Sequence, residues 1–250
     1  MPREPEQRLH GINACRAAFA HRPQDLRKVW LVEENILVFK PVLAWCVKHR
    51  IGYRLVEEDD LQRLTGSSHH EGVCFDLRMP PAITLDALLA RLANDAPTLL
   101  LWLDGIGNPH NLGAILRSAA HFGVNAVLLP QRGAALLSGA AYRVAEGGAE
   151  TVQVLRVADA EAAFASLRSA GFAFAATVVR GGEPLYSAAM PSRLLLLLGA
   201  ESEGLPEHVS TLSDLRLRIP GSGAVESLNV SVAAALCIAE WARVHAVRID

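Results

Sequence analysis

Short runs of consecutive apolar residues alternate along the chain with stretches in which apolar positions recur every three or four residues, and glycine, proline and acidic clusters separate the two patterns. The sharpest run is Leu194-Leu195-Leu196-Leu197-Leu198. It is too short to span a membrane and apolar on both faces, which predicts a strand in the middle of a parallel sheet. Thr98 to Leu103, Ala126 to Leu129, Val152 to Val157 and Phe172 to Val179 read as further strands. Between them Leu112, Ile115, Leu116 and Ala119 recur at helical spacing with Gly123 as the stop, and helices are predicted over Gly139 to Ala145 and Ala160 to Ala170. Leu215 to Ile219 alternates and is stopped by Pro220. Gly221 to Ser231 then opens a small-residue helix that continues from Asn229 to His245. Repeated strand, helix, strand units predict a mostly parallel α/β sheet with helices on both faces.

The first third of the chain reads as a separate, smaller α/β unit. A polar, frayed start leads into a helix from His10 to Phe19 with Asn13 as its cap, then a strand at Val29 to Val32 and a helix from Phe39 to His49. A strand at Tyr53 to Val56 follows. Glu57-Glu58-Asp59-Asp60 places negative charge at the start of a helix through Leu64, and Gly66 to Gly72 turns the chain into a strand at Val73 to Leu77. Pro80-Pro81 breaks the pattern, and Thr84 to Leu92 reads as a linker helix. The expected organisation is residues 1–80 as one domain, 81–97 as linker and 98–250 as the second domain.

Three loops follow strands and carry the candidate chemistry: Gly105 to Gly113, Gly199 to Gly204 and Gly221 to Ser231. The last two are read as lying at the carboxyl ends of neighbouring strands, where open α/β sheets bind ligands. Gly113 and Arg117 sit one turn apart and off the apolar stripe, so either a ligand docks against the bare backbone or the glycine packs a helix beside a solvent-facing arginine. Gly105-Ile106-Gly107 invites a dinucleotide reading, but His110 stands where the third glycine belongs. No Gly-Lys-Ser/Thr phosphate loop is present, and Gly221-Ser222-Gly223 is one residue too tight for a nucleophile elbow. Glu201 reads as a surface carboxylate unless its turn folds inward.

Of the 250 residues 51% are hydrophobic, which excludes disorder. The formal net charge of −2 provides no overall basic field and argues mildly against a nucleic-acid partner, although a local patch remains compatible with it. Cys15, Cys46, Cys74 and Cys237 are widely spaced, without a Cys-x-x-Cys pair, so no metal is expected and free thiols in a reducing cytoplasm are. The first residues contain no apolar core of a leader and no stretch reaches the length of a membrane span, so a cytosolic protein without membrane contact is expected.

Taken together the three loops are far more specific than any one alone. Asn108 to Ala119, Gly199 to Gly204 and Ile219 to Ala233 resemble, in order and spacing, the three motifs of the SpoU (TrmH-type) RNA 2′-O-ribose methyltransferases of the SPOUT superfamily. The resemblance covers Thr98 to Val244. His10 to Leu77 is similar to that family's substrate-binding domain of ribosomal-protein-L30e type. One departure is Gly221, where the family usually has Met beside the cofactor pocket.

The resemblance implies an α/β domain with a trefoil knot, an exception to the rule against knots, which holds S-adenosylmethionine. Gly199, Ile219 and Leu228 would contact the cofactor largely through backbone groups, with Glu201 and Thr177 nearby, and the glycine would let the backbone approach the adenosine. Asn111, Arg117, Ser227 and Asn229 match the catalytic positions. Arg117 reads first as a clamp on the phosphate that also stabilises the developing alkoxide, and second as the base itself. The implied substrate is a ribose 2′-hydroxyl of ribosomal or transfer RNA. The implied assembly is a homodimer with the knot helices packed together and the Arg117 site completed by the partner. Two other readings stand beside this one: an RNA-binding or ribosome-associated protein of the same fold without turnover, and a small-molecule enzyme on a nucleotide-type sheet.

Overall fold

The computed structural model describes residues 5–93 and 96–245, and its strands collect in two sheets. The first part of the chain runs β1 (Glu6–His10), α1 (Ile12–His21), β2 (Leu26–Leu31), α2 (Lys40–His49), β3 (Gly52–Leu55), α3 (Glu58–Thr65) and β4 (Val73–Arg78). Its strands pair in the order β1-β4-β2-β3, antiparallel around β4 and parallel between β2 and β3. A short helix α4 (Leu85–Leu89) follows, its start capped by the Thr84 hydroxyl accepting from the Ala87 N–H.

The second part runs β5 (Thr98–Leu103), α5 (Pro109–His121), β6 (Ala126–Pro130), α6 (Gly139–Ala145), α7 (Gly148–Thr151), β7 (Gln153–Val157) and α8 (Ala160–Ser169). It continues through β8 (Ala173–Thr177), β9 (Glu183–Pro184), β10 (Arg193–Leu198), α9 (Glu207–Ser210), β11 (Leu215–Arg218) and α10 (Val230–Val244). The seven strands form one sheet in the order β7-β6-β5-β10-β8-β11-β9, every pairing parallel. The leucine run is therefore central, paired on both sides. Because side chains alternate across a strand, Leu194, Leu196 and Leu198 join the core beneath α5 and α10, whereas Leu195 and Leu197 join the core beneath α8.

Helix α5 positions the first loop. Asn108 caps it by accepting from the His110 N–H at 2.9 Å, Pro109 occupies its first position, and Leu112, Ile115, Leu116 and Ala119 are buried. Gly113 is buried among them, and a Cβ there would lie 2.6 Å from the Ala141 carbonyl and 2.7 Å from Val144 Cβ. No ligand docks at this glycine: α6 of the same chain fills the spot, which is the helix-packing reading of Gly113 beside a solvent-facing Arg117.

The structure corrects several expectations. Residues 6–10 of the polar start are a strand paired with β4 rather than a frayed tail, and residues 1–4 lie outside the described residues. Asn13 lies inside α1 rather than capping it; Gly11 takes the cap position, and Asn13 hydrogen-bonds Glu146. The strands β10 and β11 are not neighbours, because β8 lies between them. Residues 221–229 form an exposed loop, and the small-residue helix begins only at Val230. The two-residue strand β9 gives too short a pattern to be read beforehand.

The core beneath α5 and α10 continues into the first sheet, so that Leu9, Cys15 and Phe75 share one cluster with Leu112 and Tyr142. All four cysteines are free and buried. Burial pushes the Cys46 thiol up to about 11 and those of Cys74 and Cys237 up to about 12, which leaves them protonated and inert. Among the described residues no group of three or more His, Cys, Asp or Glu could hold a metal ion, and no helix is long and apolar enough to cross a membrane.

His10 is 4% exposed at the junction of the sheets, its Nε2 has no hydrogen-bond partner, and its ring lies 2.9 Å from where a Cβ on Gly139 would stand. Burial lowers its pKa below the ordinary 6.5, and Arg143, His70 and His69 lower it further against an opposing contribution from Glu71. The folded state thus binds its proton less readily than the unfolded state. Stability is complete above about pH 6.5 and is lost as pH falls below it towards the lowered value. Melting temperature measured from about pH 7.5 to about pH 5 should fall through this window, and the fall should be shallower in His10→Gln; an equal slope in both proteins would contradict the assignment.

Candidate active site

A cavity of about 630 Å³ opens at the carboxyl ends of β8, β10 and β11. Its floor is the end of β8, where the Thr177 hydroxyl donates to the Leu197 carbonyl at 3.2 Å. Its walls are the turn from Gly199 to Leu205 and the segment from Leu217 to Leu228. The two loops thus meet across the end of an intervening strand rather than in a crevice between adjacent ones. The volume lies in the ordinary range for a cofactor-sized ligand, and Glu203, Arg218, Glu226 and Ser227 line it together with the apolar Leu217, Ile219 and Leu228.

The first wall is a tight hairpin-like turn. Ala200 and Gly204 form an antiparallel bridge in which the Gly204 N–H donates to the Ala200 carbonyl at 2.8 Å, and Gly204 has φ +70°. A Cβ on Gly199 would sit 2.2 Å from the Gly204 carbonyl carbon and 2.3 Å from Leu205 N. Gly199 is therefore required by the closure of its own turn. This intramolecular reason stands beside the expected one, close approach to an adenosine.

Glu201 stays exposed on that turn, yet its carboxylate faces the first and third loops. One carboxylate oxygen, Oε1, accepts from Asn229 Nδ2 at 2.7 Å, from Asn111 Nδ2 at 3.0 Å and from the Val230 N–H at 3.1 Å. The Asn229 amide also donates to Asn111 Oδ1 at 3.1 Å, and Asn229 Oδ1 accepts from the Ser231 N–H at 2.9 Å and caps α10. A negative charge at the first N–H of α10 is favoured by the helix dipole and by unpaired donors at a helix start. Sequence reading placed Glu201 among the cofactor contacts and missed its role as the acceptor shared by the first and third loops. The only sequence signal for it is indirect: a helix start needs an anion, and none lies in the first turn of α10.

The structure brings Thr177, Gly199, Glu201, Ile219, Ser227 and Leu228 to one cavity, with Asn111 and Asn229 joined to it through Glu201. Ser227 is exposed and makes no hydrogen bond to another described residue. Arg117 is not in this group. It lies six residues beyond Asn111 on α5, on another side of the helix, exposed and without a hydrogen bond or ion pair to any described residue. Arg180, after β8, was not singled out and forms an exposed 3.0 Å ion pair with Glu226 of the third loop. The loop after β6 is also held here: Arg156 donates to the carbonyls of Pro130, Ala134 and Ala135, and the Ala135 N–H donates to the Ile106 carbonyl of the first loop at 2.8 Å. Gly221 has no atom within 4 Å of where its Cβ would stand, so the place of a longer side chain is open space.

A shallow apolar groove runs between α5 and α10, lined by Ala114 and Ser118 of α5, Phe122 just after it, and Val232, Leu236 and Ala239 of α10. Small side chains leave both helices free for close approach from outside.

Residues 98–239 match the SpoU rRNA Methylase family, and residues 8–82 match the family described as RNA 2′-O ribose methyltransferase substrate binding. The chain is 39% identical over 241 residues to an uncharacterized tRNA/rRNA methyltransferase, YfiF, of Escherichia coli O157:H7, covering 96% of this chain and 69% of that protein. It is 33% identical over 244 residues to the 23S rRNA (guanosine-2′-O-)-methyltransferase RlmB of Nitrosomonas europaea, covering 97% and 93% of the two chains. Among solved structures it is similar in fold to the SpoU methyltransferase AviRb of Streptomyces viridochromogenes in complex with the cofactor AdoMet, with a TM-score of 0.79 and 23% identity over 97% of this chain and 92% of that one.

Replacing Gly199 with Ala should cost about 2 kcal/mol or more of stability, because backbone atoms and not a flexible side chain occupy the added methyl's place; denaturant titration checks it. Glu201→Ala strips the shared acceptor from three donors. Methyl-transfer activity should fall much further than in Glu201→Gln, which keeps one acceptor oxygen; equal activities would remove Glu201 from its place at the centre of the site.

Proposed function

The chain belongs to the SpoU rRNA Methylase family, and from that premise we propose that it transfers a methyl group from S-adenosylmethionine to a ribose 2′-hydroxyl of ribosomal or transfer RNA. The observation that carries the reading is the single Glu201 oxygen tying Asn111 and Asn229 to the rim of a cofactor-sized cavity. That cavity suits a nucleoside-type ligand: Ile219, Leu217 and Leu228 offer apolar walls for a purine, and the turn after Gly199 offers backbone groups to its polar edge. When bound, S-adenosylmethionine would supply a methyl on a sulfonium for the 2′-oxygen, with S-adenosylhomocysteine as the leaving group and the 2′-proton passing to solvent water.

Thr177, Gly199, Ile219 and Leu228 are read as cofactor contacts. Asn111 and Asn229, both oriented by Glu201, are read as the groups that hold the ribose. Ser227, free at the cavity wall, would hydrogen-bond the bound reactants rather than attack. Arg117 is the strong cation of the set. An arginine keeps its proton at ordinary pH, so its first role is to clamp the neighbouring phosphate and lower the cost of the developing alkoxide. Among the described residues no carboxylate pairs with its guanidinium.

Because Arg117 stands outside the cavity of its own chain, we read the active site as completed across a homodimer, with the groove between α5 and α10 as the contact face. The third loop and the turn after β10 are read as a trefoil knot; the support is the strand order, in which the chain from β10 crosses beyond β8 before returning into α10. The bacterial relatives are named for ribosomal and transfer RNA, which supports reading this chain as working in the cytoplasm. The open space at Gly221 favours one second reading, an RNA-binding protein of the same fold with a loosened cofactor site.

Isothermal titration with S-adenosylmethionine should give one binding event per chain; absence of binding would favour the second reading. Arg117→Ala should leave that binding intact and lower tritiated-methyl incorporation into unmodified ribosomal or transfer RNA by about 100-fold or more, and unchanged incorporation would remove the assigned role of the guanidinium.

A further inference from the structure

We propose that residues 139–151 form a register element that fixes the RNA-binding unit against the helix carrying Arg117, with Arg22 and Glu150 as its positioning residues. This rests on the reading of Arg117 given above. The segment comprises α6 and α7 and is bounded by contacts too close for side chains on both sides. Towards the first sheet, a Cβ on Gly139 would lie 2.9 Å from the His10 ring and 3.0 Å from the Arg8 carbonyl, and one on Gly147 would lie 2.8 Å from Ala17 Cβ of α1. Towards α5, a Cβ on Gly148 would lie 2.7 Å from the Leu116 carbonyl and 3.1 Å from Arg117 Cα, and Gly113 meets Ala141 from the other side. Two consecutive glycines thus touch α1 with one residue and the backbone of Arg117 with the next.

A bidentate ion pair fastens this contact. Arg22 Nε and Nη2 donate to the two carboxylate oxygens of Glu150 at 2.7 and 2.8 Å, and the side chains are 8% and 6% exposed. Arg22 Nη1 also donates to the Arg78 carbonyl at 2.9 Å, the last residue of β4. Asn13 of α1 hydrogen-bonds Glu146 nearby, and Gln7 of β1 donates to the Tyr142 hydroxyl at 3.3 Å. A planar, fully charged pair held at both forks and shielded from water permits one geometry, where an exposed pair would permit many. The tethered unit is therefore not a loose arm: its α1 and β4 are set at one distance from Arg117, and RNA bound to residues 8–82 is presented to that guanidinium at one offset. The set distance makes the junction a ruler for which ribose reaches the site. The cavity walls lie elsewhere in the sheet, beyond β10, and none of these junction residues lines it.

The test uses the full chain with unmodified ribosomal RNA made by transcription and S-adenosylmethionine. Arg22→Ala and Glu150→Ala should each lower kcat for methyl transfer at least 10-fold while the cofactor Kd stays within twofold of wild type. Gly148→Ala, which presses a methyl on the Arg117 backbone without touching the ion pair, should do the same. The exchanged pair Arg22→Glu with Glu150→Arg should recover part of the rate together with the melting temperature. Wild-type kcat in all three single variants would overturn the proposal. So would cofactor affinity falling in step with rate, or an exchanged pair that regains its melting temperature but not its rate. Arg117→Ala run alongside separates the two levels: full transfer in that variant removes the reading on which the proposal rests, irrespective of residues 22 and 150.

Discussion

One carboxylate oxygen holds the site together. Glu201 Oε1 accepts from Asn111 and Asn229 and from the first N–H of α10, residues 90, 28 and 29 positions away in the chain. Each donor belongs to a segment that has other reasons to fold, and this carboxylate joins the ends of α5 and α10 to the turn after β10. A charge-assisted acceptor shared by three donors is stronger than a neutral bond, and it sits where the dipole of a fifteen-residue helix favours negative charge. The closure of that turn depends in turn on Gly199, whose missing side chain leaves room for the backbone of Gly204 and Leu205.

The sheet supplies the fixed frame for this arrangement. With β10 paired between β5 and β8 and every strand parallel, all the loops that matter leave from one edge. Alternating leucines of β10 anchor helices on both faces, so the strand ends cannot shift without disturbing two cores at once. The same core beneath α5 and α10 runs on into the first sheet, which is why the part that matches the substrate-binding family and helix α5 share a junction and not merely a linker.

Much of this was legible from residue pattern. The leucine runs gave the central strands because a strand buried on both faces must be apolar throughout, and Asn108-Pro109 gave the start of α5 because an amide cap and a proline suit adjacent positions. The three loop stretches carried the family. What remained hidden depends on partners distant in sequence. In β1, Glu6 and Gln7 look like solvent-exposed residues until β4 is placed beside them. The intervening β8 between β10 and β11 follows from strand insertion, which no local window contains. Asn13 has every property of a cap, yet Gly11 enters with φ +97° and starts the helix earlier. Gly113, beside an exposed arginine, looked as much like a docking point as a packing point until α6 supplied the atoms that fill it.

The direct measurement is a crystal structure of this chain with S-adenosylhomocysteine. The arrangement predicts the adenosine between the turn at Gly199 and the segment at Ile219 and Leu228, the Glu201 hydrogen bonds intact, and an Arg117 guanidinium, from the same chain or a second copy, facing the sulfur. A ligand bound elsewhere, or one seated in this cavity with no Arg117 from either copy turned towards it, would contradict it.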